Sequence, residues 1–376
     1  MGFGNLELIT LQQYWWIIIS LLGGLFVFIM FVQGGQTLID KLSENETEKT
    51  MLINSIGRKW ELGFTTLVLF GGALFAAFPL FYSTSFGGAY WVWLAILFCF
   101  IIQAVSYEYR TKPNNFLGQK TYEYFLKING NIGTFLLGVA ISTFFSGSEF
   151  IIDSNNFVNW QNPLRGLEAL LNPYNYLLGF SLVFLAKISG ALYFINNIDY
   201  EKIREKAVNS IKINMLLFLF FFLGFMFWIL TKDGFALKNG IVFIEKYKYL
   251  FNFIEMPIIL GMFLIGVIMV IVAVFMTIIF KKTCCIKTGG VGIVLTVMSL
   301  LLNVGFNNTS YYPSTSDLQS SLTIMNSSGS HYTLMTMSYV SLMVPFVLAY
   351  IAFAWYSMDK VKITKDEIES KDSHNY

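Results

Sequence analysis

The sequence predicts an all-α integral membrane protein with nine transmembrane helices. Hydrophobic residues make up 55% of its 376 residues and charged residues only 13%, whereas a soluble domain has about 25% charged residues. The mean hydropathy is +0.60. Apolar runs of about 20 residues, the length that crosses a bilayer, recur along the whole chain. The loops between these runs differ strongly in basic residues.

The nine predicted spans form a single membrane domain, residues 1–376. Span one, residues 14–39, lacks a basic segment before it and is too long for a signal peptide, so we expect it to be retained. Spans two and three, residues 62–82 and 89–106, are joined by a short Ser/Gly turn and form a hairpin. Span four is predicted over residues 128–145 and is short. The other spans are predicted over residues 174–195, 213–230, 256–280, 290–305 and 334–356.

The distribution of Lys and Arg predicts the orientation, because basic loops stay on the cytoplasmic side. Nineteen of the 25 basic residues lie in loops and a tail on one side, five lie on the other, and Lys187 falls inside span five. We therefore expect the N-terminus outside and the C-terminus in the cytoplasm. Both groups of four spans then begin and end outside, which favours two four-helix bundles plus one peripheral helix.

Several function classes are disfavoured by what the sequence lacks. The net charge of +2 reflects cytoplasmic loops, so no nucleic-acid partner is expected. The three cysteines, Cys99, Cys284 and Cys285, give neither a disulfide framework nor a CxxC metal motif. The two histidines, His331 and His374, lie outside the predicted spans, so we expect no haem or metal held by this chain's own ligands.

Ionisable residues inside spans are costly and are candidates for function. Lys187, in the middle of span five, could face a cavity or a partner's carboxylate, or could be buried with its amine bonded to backbone carbonyls. Glu61, at the start of span two, could relay protons or form a salt bridge with the adjacent Arg58 and Lys59. The residues leave both pairs of interpretations open.

Three further polar residues are candidates for a proton path or for inter-helix contacts. Gln33 and Gln36 lie near the cytoplasmic end of span one beside two glycines, which permit close helix approach. Glu108 ends span three, two residues before Arg110. Residues two apart do not face each other on a helix, so these two side chains should have different partners.

Several segments, in order along most of the chain, match the motifs of one family. Residues 51–61 read MLINSIGRKWE, with Gly57 and Trp60 as in INxIGPxWDGNE. Residues 71–79 read GGALFAAFP, with Gly71, Gly72 and Pro79 as in GGAxFAAFP. Residues 104–110 end in Arg110 and resemble RGVAFEYR. Residues 172–174, 190–193, 321–328 and 345–350 resemble NPF, HGAxYL, SLTIxNASSS and PxVLAY. Together they resemble subunit II of cytochrome bd quinol oxidases.

The resemblance implies a non-catalytic subunit in a bacterial cell membrane, paired with a homologous subunit I. In that family subunit I holds haems b and d and the quinol site, and the complex oxidises quinol and reduces dioxygen to water, generating proton motive force. Subunit II stabilises the assembly and lines a proton path from the cytoplasm. The sequence leaves open small single-span accessory subunits and a structural quinone or lipid. A secondary transporter is the alternative that composition and span count also allow.

Two departures from the family motifs affect the proton path. The EGFDFG motif reads QGGQTL at residues 33–38, so Gln33 and Gln36 replace its acids. The WDGNEVW motif reads WELGFTT at residues 60–66, which leaves Glu61 as its one carboxylate. An amide cannot titrate, although it can hold water. A route through this subunit would therefore depend on Glu61 and water.

Overall fold

The computed structural model describes residues 2–369. Eight of its helices are long and apolar enough to cross a membrane, and the count is nine when one bent helix pair is taken as a single span. The number and order of the spans agree with the prediction. The predicted tail residue His374 lies outside the described residues. Spans one to nine are Leu8–Gln36, Glu46–Ala77, Tyr90–Tyr109, Gln119–Ser146, Pro173–Asn197, Glu201–Thr231, Pro257–Phe280, Cys285–Gly305, and His331–Ser341 with Val344–Asp359.

Several helices extend well past the predicted boundaries at their basic ends. Span two begins at Glu46, sixteen residues before the predicted start, because Asn45 caps it by accepting the Glu48 N–H at 2.9 Å. Span four begins at Gln119 and contains a π-helical turn, Asn129–Gly133. Hydropathy alone misses these extensions, since an amphipathic helix continues after the apolar run has ended.

At two prolines, the observed helices differ from the predicted spans. Span two ends at Ala77, and Pro79 starts a separate short helix, Pro79–Tyr82, followed by a π-helical turn, Ser83–Gly88. Span nine, predicted as one helix, is bent by 40° before Pro345. Proline has no N–H to donate and its ring clashes with the preceding turn, so a helix breaks or bends there.

Spans one, four, five and eight carry the main contacts between the first four spans and the next four. Span five packs against spans one, four and six, and span eight packs against spans one and seven. The contact between spans one and five is closest at Gly34 and Gly190. A Cβ on Gly34 would lie 1.8 Å from the Ala186 carbonyl oxygen, and one on Gly190 would lie 2.4 Å from the Gly35 nitrogen. Only glycine allows this crossing.

Span nine lies at the periphery. Its first helix contacts spans one and two, whereas Val344–Asp359 has no buried residue. The chain after it returns to the protein, because the Ile363 N–H donates to the Asn197 oxygen at 2.9 Å and its oxygen accepts from Asp199 at 3.0 Å.

The three long loops that the charge pattern assigned to one side meet in a single layer. Strands β1 (Phe150–Ile152) and β2 (Val158–Trp160) form one antiparallel hairpin, and β3 (Gly234–Lys238) and β4 (Ile241–Glu245) form another. Single bridges join Ser148 to Ser314 and Ala236 to Thr309. The remaining helical segments are Phe3–Asn5, Ile39–Leu42, Leu167–Leu171, Lys248–Glu255, Leu318–Ser320 and Lys365–Glu369.

Candidate functional site

A buried cluster of neutral polar side chains joins spans one and three near their basic ends. The Gln33 amide donates to the Gln103 oxygen at 3.1 Å, and the Gln36 amide donates to the Tyr107 hydroxyl at 3.1 Å. All four side chains are buried. The amides at positions 33 and 36 therefore bridge helices, and span three supplies both of their partners.

The same region contains buried polar atoms that have no hydrogen-bond partner in the protein. Gln33, Gln36 and Gln103 each keep one side-chain polar atom without a protein partner among residues 2–369, and so do the Thr134 hydroxyl and both polar atoms of the Asn129 amide. Buried polar groups are nearly always hydrogen-bonded to protein or to ordered water. The cluster, defined by the side chains of Gln33, Gln36, Gln103, Tyr107, Asn129 and Thr134, is therefore suited to holding water.

An ion-pair network lies on the basic side of the membrane, between spans two and four and the end of span three. Arg110 donates to one Glu123 oxygen through Nε at 3.0 Å and through Nη2 at 2.9 Å. Lys49 contacts the other Glu123 oxygen at 3.1 Å, and Glu46 lies 3.6 Å from Arg110. Glu108 turns away to the exposed Lys112 at 3.4 Å. Arg110 of the family motif thus fastens spans two, three and four together.

Glu61 does not enter the polar cluster. Its carboxylate is exposed on span two, and no ion pair or side-chain hydrogen bond links it to another described residue. Gly63, two residues later, faces the cluster: a Cβ there would lie 3.4 Å from the Gln33 amide nitrogen. Glu61 therefore heads an exposed stripe of span two, formed by Glu61, Val68, Gly72 and Phe75.

One interpretation of Glu61 was a salt bridge with its basic neighbours, and no such salt bridge is found among the described residues. Arg58 instead pairs with Glu367 at 2.8 Å. Lys59, fully buried, pairs with Asp359 at 3.1 Å. The helix rotation at this point sends both basic side chains toward the end of span nine, which leaves Glu61 on the opposite face.

The Lys59–Asp359 pair was not identified from the sequence. The Asp359 carboxylate also accepts from the Tyr193 hydroxyl at 3.1 Å, the Asn197 amide at 3.2 Å and the Trp355 ring N–H at 2.6 Å. The pair fastens spans two, five and nine at one membrane surface. The only feature of the sequence that points to this pair is an acid at the end of the last span, and it does not indicate that Lys59 is the partner.

Lys187 lies half-buried on span five with its ammonium 5.6 Å from the centre of the Phe184 ring. Within the described chain, no carboxylate or hydrogen-bond acceptor contacts this ammonium. The nearby Lys41 repels it. Of the two interpretations of Lys187, bonds of its amine to backbone carbonyls are therefore not found among the described residues.

The motif residues of span two have separate structural roles. Gly57 is buried, and Trp60 stacks on Tyr107 of the polar cluster at 5.8 Å. A Cβ on Gly71 would meet the Phe86 ring at 3.5 Å, whereas Gly72 faces open space. Pro79 begins the short helix that leads to the π-helical turn.

A partly buried lysine in the opposite loop layer was also missed. Lys232 donates to the Phe145 carbonyl oxygen and lies 5.0, 5.4 and 5.9 Å from the rings of Trp228, Phe235 and Tyr249. Burial lowers the pKa of Lys232 to about 8. In the sequence, Lys232 is only one of the five basic residues on the side opposite to the other nineteen.

Among residues 2–369, no three His, Cys, Asp or Glu side chains come together as a metal site. His331 is the first residue of span nine, with Nε2 2.8 Å from the Leu6 carbonyl oxygen. What this chain presents is therefore a water-holding polar cluster, two buried ion-pair networks and an exposed carboxylate stripe.

Comparison with known proteins agrees with this architecture. The cytochrome bd-I ubiquinol oxidase subunit 2 of Escherichia coli (strain K12) is 26% identical, covering 96% of this chain and 97% of that protein. The probable cytochrome oxidase subunit 2 of Haemophilus influenzae is 26% identical, covering 93% of this chain and 94% of that protein. A chain of the bd oxidase from Geobacillus thermodenitrificans has the same fold, with a TM-score of 0.64 at 12% identity over 92% and 98% of the two chains. Residues 11–358 match the model of one family, and this chain belongs to it: cytochrome bd terminal oxidase subunit II.

Proposed function

We propose that this chain is the non-catalytic subunit of a quinol oxidase and that haems b and d and the quinol site belong to its partner, subunit I. The observation that carries the proposal is the family match over residues 11–358, nearly the whole membrane domain. The position of His331, held against the Leu6 oxygen at one end of span nine, supports placing the haem ligands elsewhere. The family match gives no support to the transporter alternative.

The family places the chain in a multi-pass, membrane-bound respiratory oxidoreductase that also contains a subunit I. We infer that subunit I covers the span-two stripe headed by Glu61. A carboxylate facing lipid is costly, and Glu61 has no described partner in its own chain. A polar or basic group of subunit I would remove that cost. Val68 and Phe75, 58% and 60% exposed, would supply apolar area to the same contact.

We infer further that water in the polar cluster conducts protons from the cytoplasmic side. The Arg110–Glu123 network lies at one end of this route, and Gln36 with Tyr107, then Gln33 with Gln103, follow it along spans one and three. Gly63 brings span two against Gln33, two residues from Glu61. Amides conduct only by orienting water. We infer that Glu61, which lies outside the cluster on the exposed face of span two, gains and loses the proton where the route passes to subunit I.

Copurification tests the assembly. A tagged chain extracted in mild detergent should bring down a second multi-span protein together with the absorption bands of b- and d-type haem. A colourless chain without a partner would contradict the oxidase assignment. The same preparation tests whether accessory subunits, or a structural quinone or lipid, accompany the pair.

Substitution of Glu61 tests the route separately. Glu61→Gln should lower oxidase turnover while haem content and assembly stay unchanged, because the amide keeps the shape but cannot titrate. Glu108→Gln, an exposed carboxylate paired only with Lys112, is the matched control and should keep turnover. Full turnover in Glu61→Gln with full haem content would make Glu61 an interface residue only.

A further inference from the structure

A wide lateral groove lies between spans one, two, eight and nine. Its volume is about 860 Å³, near the upper end of the roughly 300–1,000 Å³ of a small-molecule pocket. Aliphatic side chains form most of its walls, among them Leu22, Leu69, Val291, Leu295 and Ile351. The groove is open to the lipid side, so its natural contents are long apolar chains.

The hydroxyl groups of the two threonines along these walls already donate to the protein. Thr65 donates its hydroxyl to the Glu61 oxygen at 2.7 Å, and Thr66 donates to the Leu62 oxygen at 2.6 Å. Both residues therefore add little polarity to the groove. Phe28 stacks on Trp355 at 5.8 Å and 10°, and both rings line the groove.

One end of the groove is strongly basic. Lys287, Lys360 and Lys362 line this end, and none of the three forms an ion pair within residues 2–369. The acid beside them, Asp359, is already neutralised by Lys59 at 3.1 Å. A positive rim above apolar walls thus lies on the side of the membrane that the charge bias predicts to be cytoplasmic.

We propose that this groove binds an anionic phospholipid, with its acyl chains along the walls and its phosphate against the three lysines. Basic pockets between membrane helices bind anionic headgroups by charge attraction. The rim distinguishes this occupant from a neutral isoprenoid chain, which would gain nothing from three lysines, and from free phosphate, which would leave the walls uncovered. The site is independent of the proton route.

Lipid binding to the intact complex tests the proposal. The complex with subunit I is delipidated, titrated with phosphatidylglycerol or phosphatidylethanolamine, and examined by native mass spectrometry. We expect preferential binding of phosphatidylglycerol. The triple variant Lys287→Gln, Lys360→Gln, Lys362→Gln should weaken it by about tenfold or more. A control with the same charge change, Lys120→Gln, Lys202→Gln, Lys282→Gln, should bind as the unaltered complex does.

A second variant blocks the walls without changing charge. Ala352 lines the groove, and Ala352→Trp should prevent phosphatidylglycerol binding while the lysines remain. Three outcomes would overturn the proposal: equal loss in the rim and control triples, binding that survives Ala352→Trp, or equal affinity for phosphatidylethanolamine. Density for a segment of subunit I or for a quinone tail in the groove of the complex would overturn it as well.

Discussion

The Lys59 ammonium lies 3.1 Å from the Asp359 carboxylate, and its side chain is fully buried. Tyr193, Asn197 and Trp355 donate to the same carboxylate, so the charge of Asp359 is surrounded by four donors. Val344–Asp359 has no buried residue of its own. The attachment of this helix at the basic side of the membrane therefore depends on one buried ion pair and the short segment that follows it.

Breaking that ion pair should destabilise the protein strongly. Removing one partner of a buried pair leaves an uncompensated charge and costs about 3–5 kcal/mol. Asp359→Asn and Lys59→Met should each lower the melting temperature of the purified complex. The double variant should lose less than the sum, because no charge remains buried. Lys112→Met, which breaks the exposed pair with Glu108, should cost no more than about 1 kcal/mol. Strictly additive losses would show that the two charges do not interact.

The close crossing of spans one and five should not accept a methyl group. A Cβ on Gly34 would lie 1.8 Å from the Ala186 oxygen, a backbone atom that cannot rotate away. Gly34→Ala should therefore separate the helices and lower the yield and melting temperature of the assembled complex. Gly261→Ala is the matched control, since nothing lies within 4 Å of its added Cβ. It should be neutral or stabilising by up to about 1 kcal/mol. Equal behaviour of the two variants would contradict the crossing.

Losing one partner of the Gln33–Gln103 hydrogen bond should destabilise the protein more than half as much as losing both partners together. Gln103→Leu removes the acceptor of the Gln33 amide and leaves a buried donor unsatisfied, at a cost of about 1–3 kcal/mol. Gln33→Leu/Gln103→Leu removes both groups and should cost less than the two single variants together. Thermal unfolding of the four proteins gives the coupling energy. A coupling near zero would mean that the two amides do not bond to each other.

The partly buried Lys232 predicts a pH dependence of stability. Its pKa falls from the ordinary 10.5 to about 8 because burial disfavours the charged ammonium. Between these values the unfolded chain holds a proton that the folded chain lacks, so this lysine makes folding more favourable as pH rises from about 8 to 10.5. Below pH 8 both states are charged and the penalty, up to about 3 kcal/mol, is constant.

Comparison with Lys232→Met isolates that effect from other titrating groups. The melting temperature of the unaltered protein minus that of Lys232→Met should increase as pH is raised through this window. Lys238→Met removes an exposed lysine of the same hairpin, and its difference should stay flat. A pH-independent difference for Lys232→Met would mean that the lysine titrates normally.

The comparison of Glu61 with Gln33 shows where the sequence was informative about the site. The motifs selected both residues, because their positions along the chain carry the family pattern. They could not place Gln33 in a cluster with Gln103 and Asn129, which belong to spans three and four and match no quoted motif. They also could not place Glu61 on the opposite face, since that depends on how far span two rotates between Lys59 and Gly63.

Chain composition by itself determined the number of spans, because the length and apolarity of a membrane helix are local properties set by the bilayer. Charge bias likewise grouped the three long loops on one side, where they form a single layer. Only the tertiary structure decided which polar groups meet. Lys59 with Asp359, and Arg110 with Glu46 and Glu123, join residues from different helices, and their pairing depends on helix rotation and tilt. Those angles are set by side-chain packing between spans, which no single segment of sequence contains.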